Sequence, residues 1–372
     1  MKFLSNYLFL LFFIFLGCTE KKPLIEEEKF RTVVIYIAAD NNLNQEAYKN
    51  IAQMEKAFEV ENSNLIIYTK LPNTAPALYR IPSIKESKNG RIKIKEYPNH
   101  NSSDPNTLKT VMEDVKENFP AKTYGLILWS HATGWIPPGT GNIKLKSFGE
   151  DNGSQMDIKD LDYALPNDLD FICFDACSMA SLEVLYEIKN KAKYFIASPG
   201  EVIANGMPYD KTINYFFSKD KSGYATLAQK YYEHYNSMTG NYQSATISVI
   251  DASLLSTIAE ETKSILINQN PTYSDFNRSK IQRMDFDRTS NPLVAFDFLD
   301  FINQNYSNIT TLQSSIERAV IFKANTPKFN GFPIVTNSGL TCYIPISDNE
   351  ELVHNYYRTL KWYQDSGFNR LF

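Results

Sequence analysis

Tyr124-Gly125-Leu126-Ile127-Leu128-Trp129-Ser130-His131 and Phe171-Ile172-Cys173-Phe174-Asp175-Ala176-Cys177 are the two stretches on which the fold turns. Each is an almost unbroken apolar run that ends in a reactive side chain. A strand with one wet face alternates apolar and polar residues. A run without that alternation predicts a central strand covered on both faces, as in a parallel sheet between helices.

The same rhythm extends outward from both runs. Residues 32–38, 65–69, 194–197 and 246–250 read as further strands, and 45–58, 107–118, 158–164, 182–189 and 253–266 carry helical spacing. This order predicts an α/β fold with a mostly parallel sheet sandwiched by helices. From Pro271 onward, helical patterns at 294–303 and 311–324, a strand at 339–346 and an aromatic helix at 350–363 predict a helical C-terminal elaboration packed on the catalytic domain. The longest irregular stretch, 136–155, holds Pro137, Pro138, Gly139, Gly141, Gly149 and Gly153, and loops of this length are often functional.

The N-terminus stands apart. Lys2, an apolar stretch from Leu8 to Leu16 and then Gly17-Cys18 match a secretory signal with a box resembling that of bacterial lipoproteins. The division expected is a signal peptide over 1–17, a lipidated tether over 18–30 beginning at Cys18, a catalytic domain over 31–270 and the elaboration over 271–372. That places the protein outside the cytoplasm, lipid-anchored to a bacterial membrane. A net charge of −4 with interspersed signs offers no basic stripe for phosphate backbones, so nucleic acid is not an expected partner. Beyond Cys18 only Cys173, Cys177 and Cys342 remain, an odd set with neither disulfide nor zinc spacing, so at least one thiol should be free.

In an open parallel sheet, ligands bind beyond the carboxyl ends of the strands. His131 and Cys177 each follow such an end. A thiolate at Cys177 would be favoured by a helix starting near Ser178 and by a protonated His131. The imidazole would protonate the departing amine and then activate water. Backbone N–H groups at Ala132 and Cys177 are the candidate oxyanion donors.

Leu128-Trp129-Ser130-His131-Ala132-Thr133-Gly134-Trp135 resembles the histidine segment of the clostripain family, and Phe174-Asp175-Ala176-Cys177-Ser178-Met179-Ala180 resembles its cysteine segment. The likeness continues through Tyr194-Phe195-Ile196-Ala197-Ser198-Pro199-Gly200-Glu201, Asp297-Phe298-Leu299-Asp300-Phe301 and Ser338-Gly339-Leu340-Thr341. The histidine precedes the cysteine by 46 positions, near the spacing of about 50 in caspases. The resemblance implies a caspase-like fold shared with gingipains and legumains, a Cys-His dyad, and cleavage of protein or peptide substrates after Arg or Lys. For such a side chain Asp175 is the first candidate acid, with Glu201 and Asp210 as second candidates; a cap or loop acceptor is the competing role for Asp175. The family's processing into two chains implies self-cleavage after Lys144 or Lys146. Ala132 departs from the family's usual glycine. If that position required a positive φ, alanine would cost about 1–2 kcal/mol.

No metal-ligand set is recognised and no cofactor is expected, although the resemblance leaves a calcium dependence open. The acidic residues Glu150, Asp151, Asp157, Asp160 and Asp162 do not follow an EF-hand loop and read as caps and a solvated face. His100, His234 and His354 read as surface histidines. Two rival readings stand beside the peptidase: a non-catalytic surface lipoprotein with a caspase-like fold, motivated by Ala132, and a carbohydrate-binding lipoprotein using some of the 23 tyrosines and 3 tryptophans.

Overall fold

The computed structural model describes residues 28–87, 89–136, 148–269, 276–286, 295–346 and 351–372. Its centre is a nine-stranded sheet. The chain supplies β1 (Lys29–Ala38), α1 (Asn44–Ala57), β2 (Ser63–Lys70), β3 (Ala77–Ile81), β4 (Ile92–Glu96), α2 (Pro105–Asn118) and β5 (Ala121–Trp129). It continues through β6 (Phe148–Asp151), β7 (Ser154–Met156), α3 (Ile158–Ala164), β8 (Leu169–Asp175), α4 (Leu182–Glu187) and β9 (Ala192–Ala197). Then come α5 (Tyr209–Thr212), α6 (Lys221–Asn236), β10 (Thr246–Asp251), α7 (Leu255–Gln269), β11 (Phe296–Asp297), α8 (Phe298–Asn305), α9 (Thr310–Ala319) and β12 (Val320–Asn325). The last pieces include the short pair β13 (Lys328–Phe329) and β14 (Phe332–Pro333).

The sheet order is β12-β10-β9-β8-β5-β1-β2-β3-β4. The five central strands, β9 to β2, are parallel, while β10 runs antiparallel to β9 and β3 antiparallel to β2. The two opening stretches therefore lie side by side: β5 pairs with β8, and Trp129 sits opposite Asp175. Both strands are buried almost throughout, as expected of strands covered by helices. Separate apolar clusters fill the two faces. Tyr36, Leu126, Leu128 and Ile172 belong to one, and Val33, Ile35, Ile127 and Cys173 to the other, so successive residues of a strand feed opposite cores.

Several expectations need correction: the helix expected at 294–303 begins only at Phe298, after β11, and the one expected at 350–363 is broken between Tyr357 and Lys361. Residues 311–324 are not one helix: α9 stops at Ala319 and Val320-Ile321-Phe322 turn into β12, which pairs antiparallel with β10. The strand expected at 339–346 is ordered as such only at Thr341–Cys342. The irregular stretch before Met156 contains the β6–β7 hairpin. No described helix is long and apolar enough to cross a membrane. Cys18, Lys144 and Lys146 lie outside the described residues.

Candidate active site

Strand β5 ends at Trp129, and Ser130 closes the end by donating its hydroxyl to Ala38 O at 2.6 Å and accepting Glu150 N–H at 3.0 Å. His131 follows. Its carbonyl accepts Gly149 N–H at 2.9 Å, and Ala132 bridges to Phe148, so β6 fixes the backbone that carries the imidazole. The ring Nε2 lies 2.5 Å from Asn42 Oδ1 and 4.0 Å from Glu150 Oε2. Neither Asn42 nor Glu150 was flagged by the motifs. Asn42 is distant in sequence, and Glu150 belongs to an acidic run that read as solvated.

Cys177 follows β8 on a turn held from two sides. Ser178 N–H donates to Gly200 O at 2.7 Å and Ala180 N–H to Ser198 O at 3.0 Å. Gly200 N–H in turn donates to Thr246 Oγ1 at 3.1 Å. Ser178 adopts φ +58°, a left-handed conformation that non-glycine residues take only when their surroundings impose it. The helix therefore does not begin near Ser178. It is capped four positions from the nucleophile by Ser181, whose side chain accepts Val184 N–H, so Cys177 lies outside the first helical turn. Instead Val202 backs the sulfur from both sides of its peptide: its N–H donates to Cys177 Sγ at 3.2 Å, and the thiol faces Val202 O at 3.5 Å.

The other two thiols cannot compete. Cys173 and Cys342 are completely buried, and burial pushes both thiols up well above their ordinary range, whereas Cys177 is partly exposed. None of the three forms a disulfide.

A cleft of about 230 Å³ is lined by His131, Asp175, Cys177, Glu201, Gly206, Phe329 and Asn330, among others. The structure thus brings His131, Cys177, Asp175 and Glu201 together. Asp210 is exposed at the start of α5 and is not among the residues lining the cleft. Asp175 accepts Met207 N–H at 3.0 Å and the Tyr209 hydroxyl at 2.9 Å, and Gly206 packs so closely that a Cβ there would sit 2.9 Å from Oδ2. Burial raises the Asp175 carboxyl to about 6, against these two donors. Glu201 Oε1 accepts Phe286 N–H at 2.7 Å, which ties that side chain to the C-terminal region.

Ala132 does not take a positive φ. The strain expected from replacing glycine is therefore absent. The positive φ lies two residues on, at Gly134 (+72°), where a Cβ would meet Ser178 O at 2.9 Å. His100, His234 and His354 are half-buried rather than freely exposed, the first 2.6 Å from the Tyr68 hydroxyl, the second 2.8 Å from Lys211 Nζ and the third 2.9 Å from the Tyr343 hydroxyl. Asp157 caps α3, as a capping role requires, whereas Asp151 is buried and clamps Ser102 N–H. Among the described residues no group of three or more His, Cys, Asp or Glu could hold a metal ion.

A thiol and an imidazole at the carboxyl ends of neighbouring parallel strands, with a buried carboxylate in the same cleft, define the class of caspase-like cysteine peptidases. The chain belongs to the clostripain family, which it matches over residues 35–362. It is 26% identical to clostripain of Hathewaya histolytica over 229 residues, 52% of this chain and 43% of that protein, so the match spans less than half the relative's length. An inactive zymogen C11 protease from Parabacteroides distasonis superposes with a TM-score of 0.79 at 32% identity, covering 92% of this chain and 99% of that one. A secreted C11 cysteine protease from Bacteroides thetaiotaomicron, solved with an irreversible peptide inhibitor, gives 0.79 at 28% identity, covering 92% and 100%.

Proposed function

We propose that the protein is a cysteine endopeptidase that hydrolyses peptide bonds after Arg or Lys, with Cys177 as nucleophile and His131 as general acid and base. The observation that carries this reading is the lining of one cleft by Cys177, His131 and Asp175. Sulfur attacks the substrate carbonyl while its proton passes to the imidazole. The tetrahedral oxyanion is assigned to backbone N–H groups at Cys177 and Ala132. The C–N bond breaks as the imidazolium protonates the leaving amine, leaving a thioester on Cys177. Water then attacks the thioester, gives its proton to His131, and returns the thiol.

Asp175 is assigned to the basic side chain of the substrate, because it is a buried acid that lines the cleft beside Cys177 and His131. Glu201 is the second acid of that pocket. Asp210, being on the surface away from the lining, is left without a substrate role. A relative described as secreted supports an extracytoplasmic location, and Cys18 remains the proposed lipid anchor. A relative described as an inactive zymogen supports maturation by cleavage, which is assigned in this chain to the bond after Lys144 or Lys146. A calcium dependence is tested by chelation during the assay. The absence of strain at Ala132 supports the catalytic reading over a non-catalytic lipoprotein. The test is a positional peptide library read with wild type, Cys177→Ala and His131→Ala; cleavage after Arg and Lys by wild type alone is expected, and cleavage by either variant at the wild-type rate refutes the dyad.

A further inference from the structure

The loop between β1 and α1 reaches across the end of β5 to the imidazole. Its geometry is fixed by its own asparagine: Asn41 Nδ2 donates to Glu150 O at 2.8 Å and to Ala38 O at 3.2 Å, while Asn41 Oδ1 accepts Leu43 N–H at 2.8 Å. Asn44 Nδ2 closes the turn by donating to Asn41 O at 2.8 Å. Strand β1 is the direct neighbour of β5, with Ile37 opposite Trp129, so the two strand ends deliver Asn42 and His131 side by side. Asn42 Oδ1 then lies 2.5 Å from Nε2.

We infer that Asn42 is the positioning residue of His131: its side-chain carbonyl accepts the Nε2–H, which leaves Nδ1 as the nitrogen that exchanges protons with Cys177. The inference rests on the peptidase reading for its function, but not for its geometry. An amide oxygen only accepts, so the facing ring nitrogen must carry a hydrogen; a neutral imidazole has one such hydrogen, and the second nitrogen is the base. In acylation Nδ1 takes the thiol proton and gives it to the leaving amine. In deacylation it takes a proton from water and gives it to the departing sulfur. The Nε2–H goes on donating to Asn42 Oδ1 throughout, so the ring keeps one orientation through both half-reactions. A neutral acceptor suits this task, because a carboxylate at the same distance would hold the imidazolium and oppose its return to the base form. The titratable groups around the ring are Glu150 from β6, Cys177 and Asp175 from the end of β8, and Glu201 from the loop after β9. Glu150 stands at 4.0 Å, beyond hydrogen-bonding distance from Nε2.

The test uses the full chain with Asn42→Leu, Asn42→Asp and Glu150→Gln, each checked for an unchanged melting transition. Kinetics and nitrogen NMR of the labelled histidine ring are read together. Asn42→Leu is expected to lower kcat by about 10²-fold with KM nearly unchanged, the scale of a misplaced reacting group. Asn42→Asp is expected to recover most of kcat once pH is raised and to shift the acidic limb of the profile upward, because it keeps the acceptor while stabilising the imidazolium, which must lose its proton to act as base. Glu150→Gln, which removes the carboxylate 4.0 Å from Nε2, should leave the Nε2–H tautomer in place. In the NMR spectrum, neutral His131 should carry its hydrogen on Nε2 in wild type and as a mixture of tautomers in Asn42→Leu. A wild-type ring protonated on Nδ1, an Asn42→Leu enzyme with unaltered kcat, or an Asn42→Asp enzyme as impaired as Asn42→Leu would overturn the inference. A wild type with the Nε2–H tautomer but no peptide cleavage would leave the positioning intact and refute the peptidase reading instead.

Discussion

Asp175 shows how one side chain serves two demands. Its donors, Met207 N–H and the Tyr209 hydroxyl, hold it in place, while burial lifts its carboxyl to about 6. The charged form is therefore present above that value and is lost as pH falls through it. Cleavage after Arg should weaken below about pH 6 relative to cleavage after a small neutral residue, which paired pH profiles of kcat/KM will measure. Asp175→Asn should reduce cleavage after Arg by the equivalent of about 3–5 kcal/mol, the scale for breaking a buried ion pair. An unaltered ratio between basic and neutral substrates would return Asp175 to a purely structural role. Gly134 makes a second prediction at this scale. Alanine there would meet Ser178 O and require a left-handed φ, costing about 1–2 kcal/mol and displacing the nucleophile turn. Gly134→Ala should lower both the melting temperature and kcat, whereas Ser178→Gly, which accepts φ +58° without strain, should preserve folding.

At the scale of elements, the central strands could be read in the sequence because burial on both faces leaves an unbroken apolar run. Strands β1, β2, β5, β8 and β9 are all of that kind, and His131 and Cys177 at two of their ends were legible for the same reason. Edge elements were not. Strand β4 is exposed along its length and its alternating Ile-Lys pattern lies in a charged segment. Strand β12 continues the spacing of α9, and only its pairing with β10 decides between helix and strand. Helix α6 did leave a signal, Tyr224, Leu227, Ala228, Tyr231 and Tyr235 at helical spacing, all buried. The β13–β14 hairpin could not have been assigned to the site from sequence, since it lies over 150 positions from Cys177. Phe329 nonetheless lines the cleft and stacks on Phe286 with centroids 4.9 Å apart, next to the backbone that holds Glu201. Phe329→Leu should lose about 0.5–1.5 kcal/mol of pairing and raise KM for peptides more than it lowers kcat. Equal KM in the two proteins would separate the hairpin from substrate binding.

For the whole molecule, the C-terminal region is part of the catalytic architecture as well as an outer layer. It donates β12 to the central sheet, Phe329 and Asn330 to the cleft, and the Phe286 N–H to Glu201. Processing is predicted to follow the same logic of proximity. The interval before Phe148 leads from His131 into β6, whose backbone remains bonded to His131 and Ser130. Cleavage after Lys144 or Lys146 should therefore leave two fragments that migrate together until denatured, and Cys177→Ala should remain a single chain. A fully active enzyme that stays uncut would dispose of this maturation step. Cys18→Ala should move the protein from the membrane to the soluble fraction, read by fractionation and acyl labelling. The most direct measurement of the central claim is site mapping by mass spectrometry after the full chain is treated with a lysine-based irreversible peptidyl reagent. One equivalent on Cys177, none on Cys173 or Cys342, loss of peptide cleavage in step with labelling, and much slower labelling of His131→Ala are the expected results; labelling at another residue, or continued cleavage once Cys177 is fully modified, would contradict it.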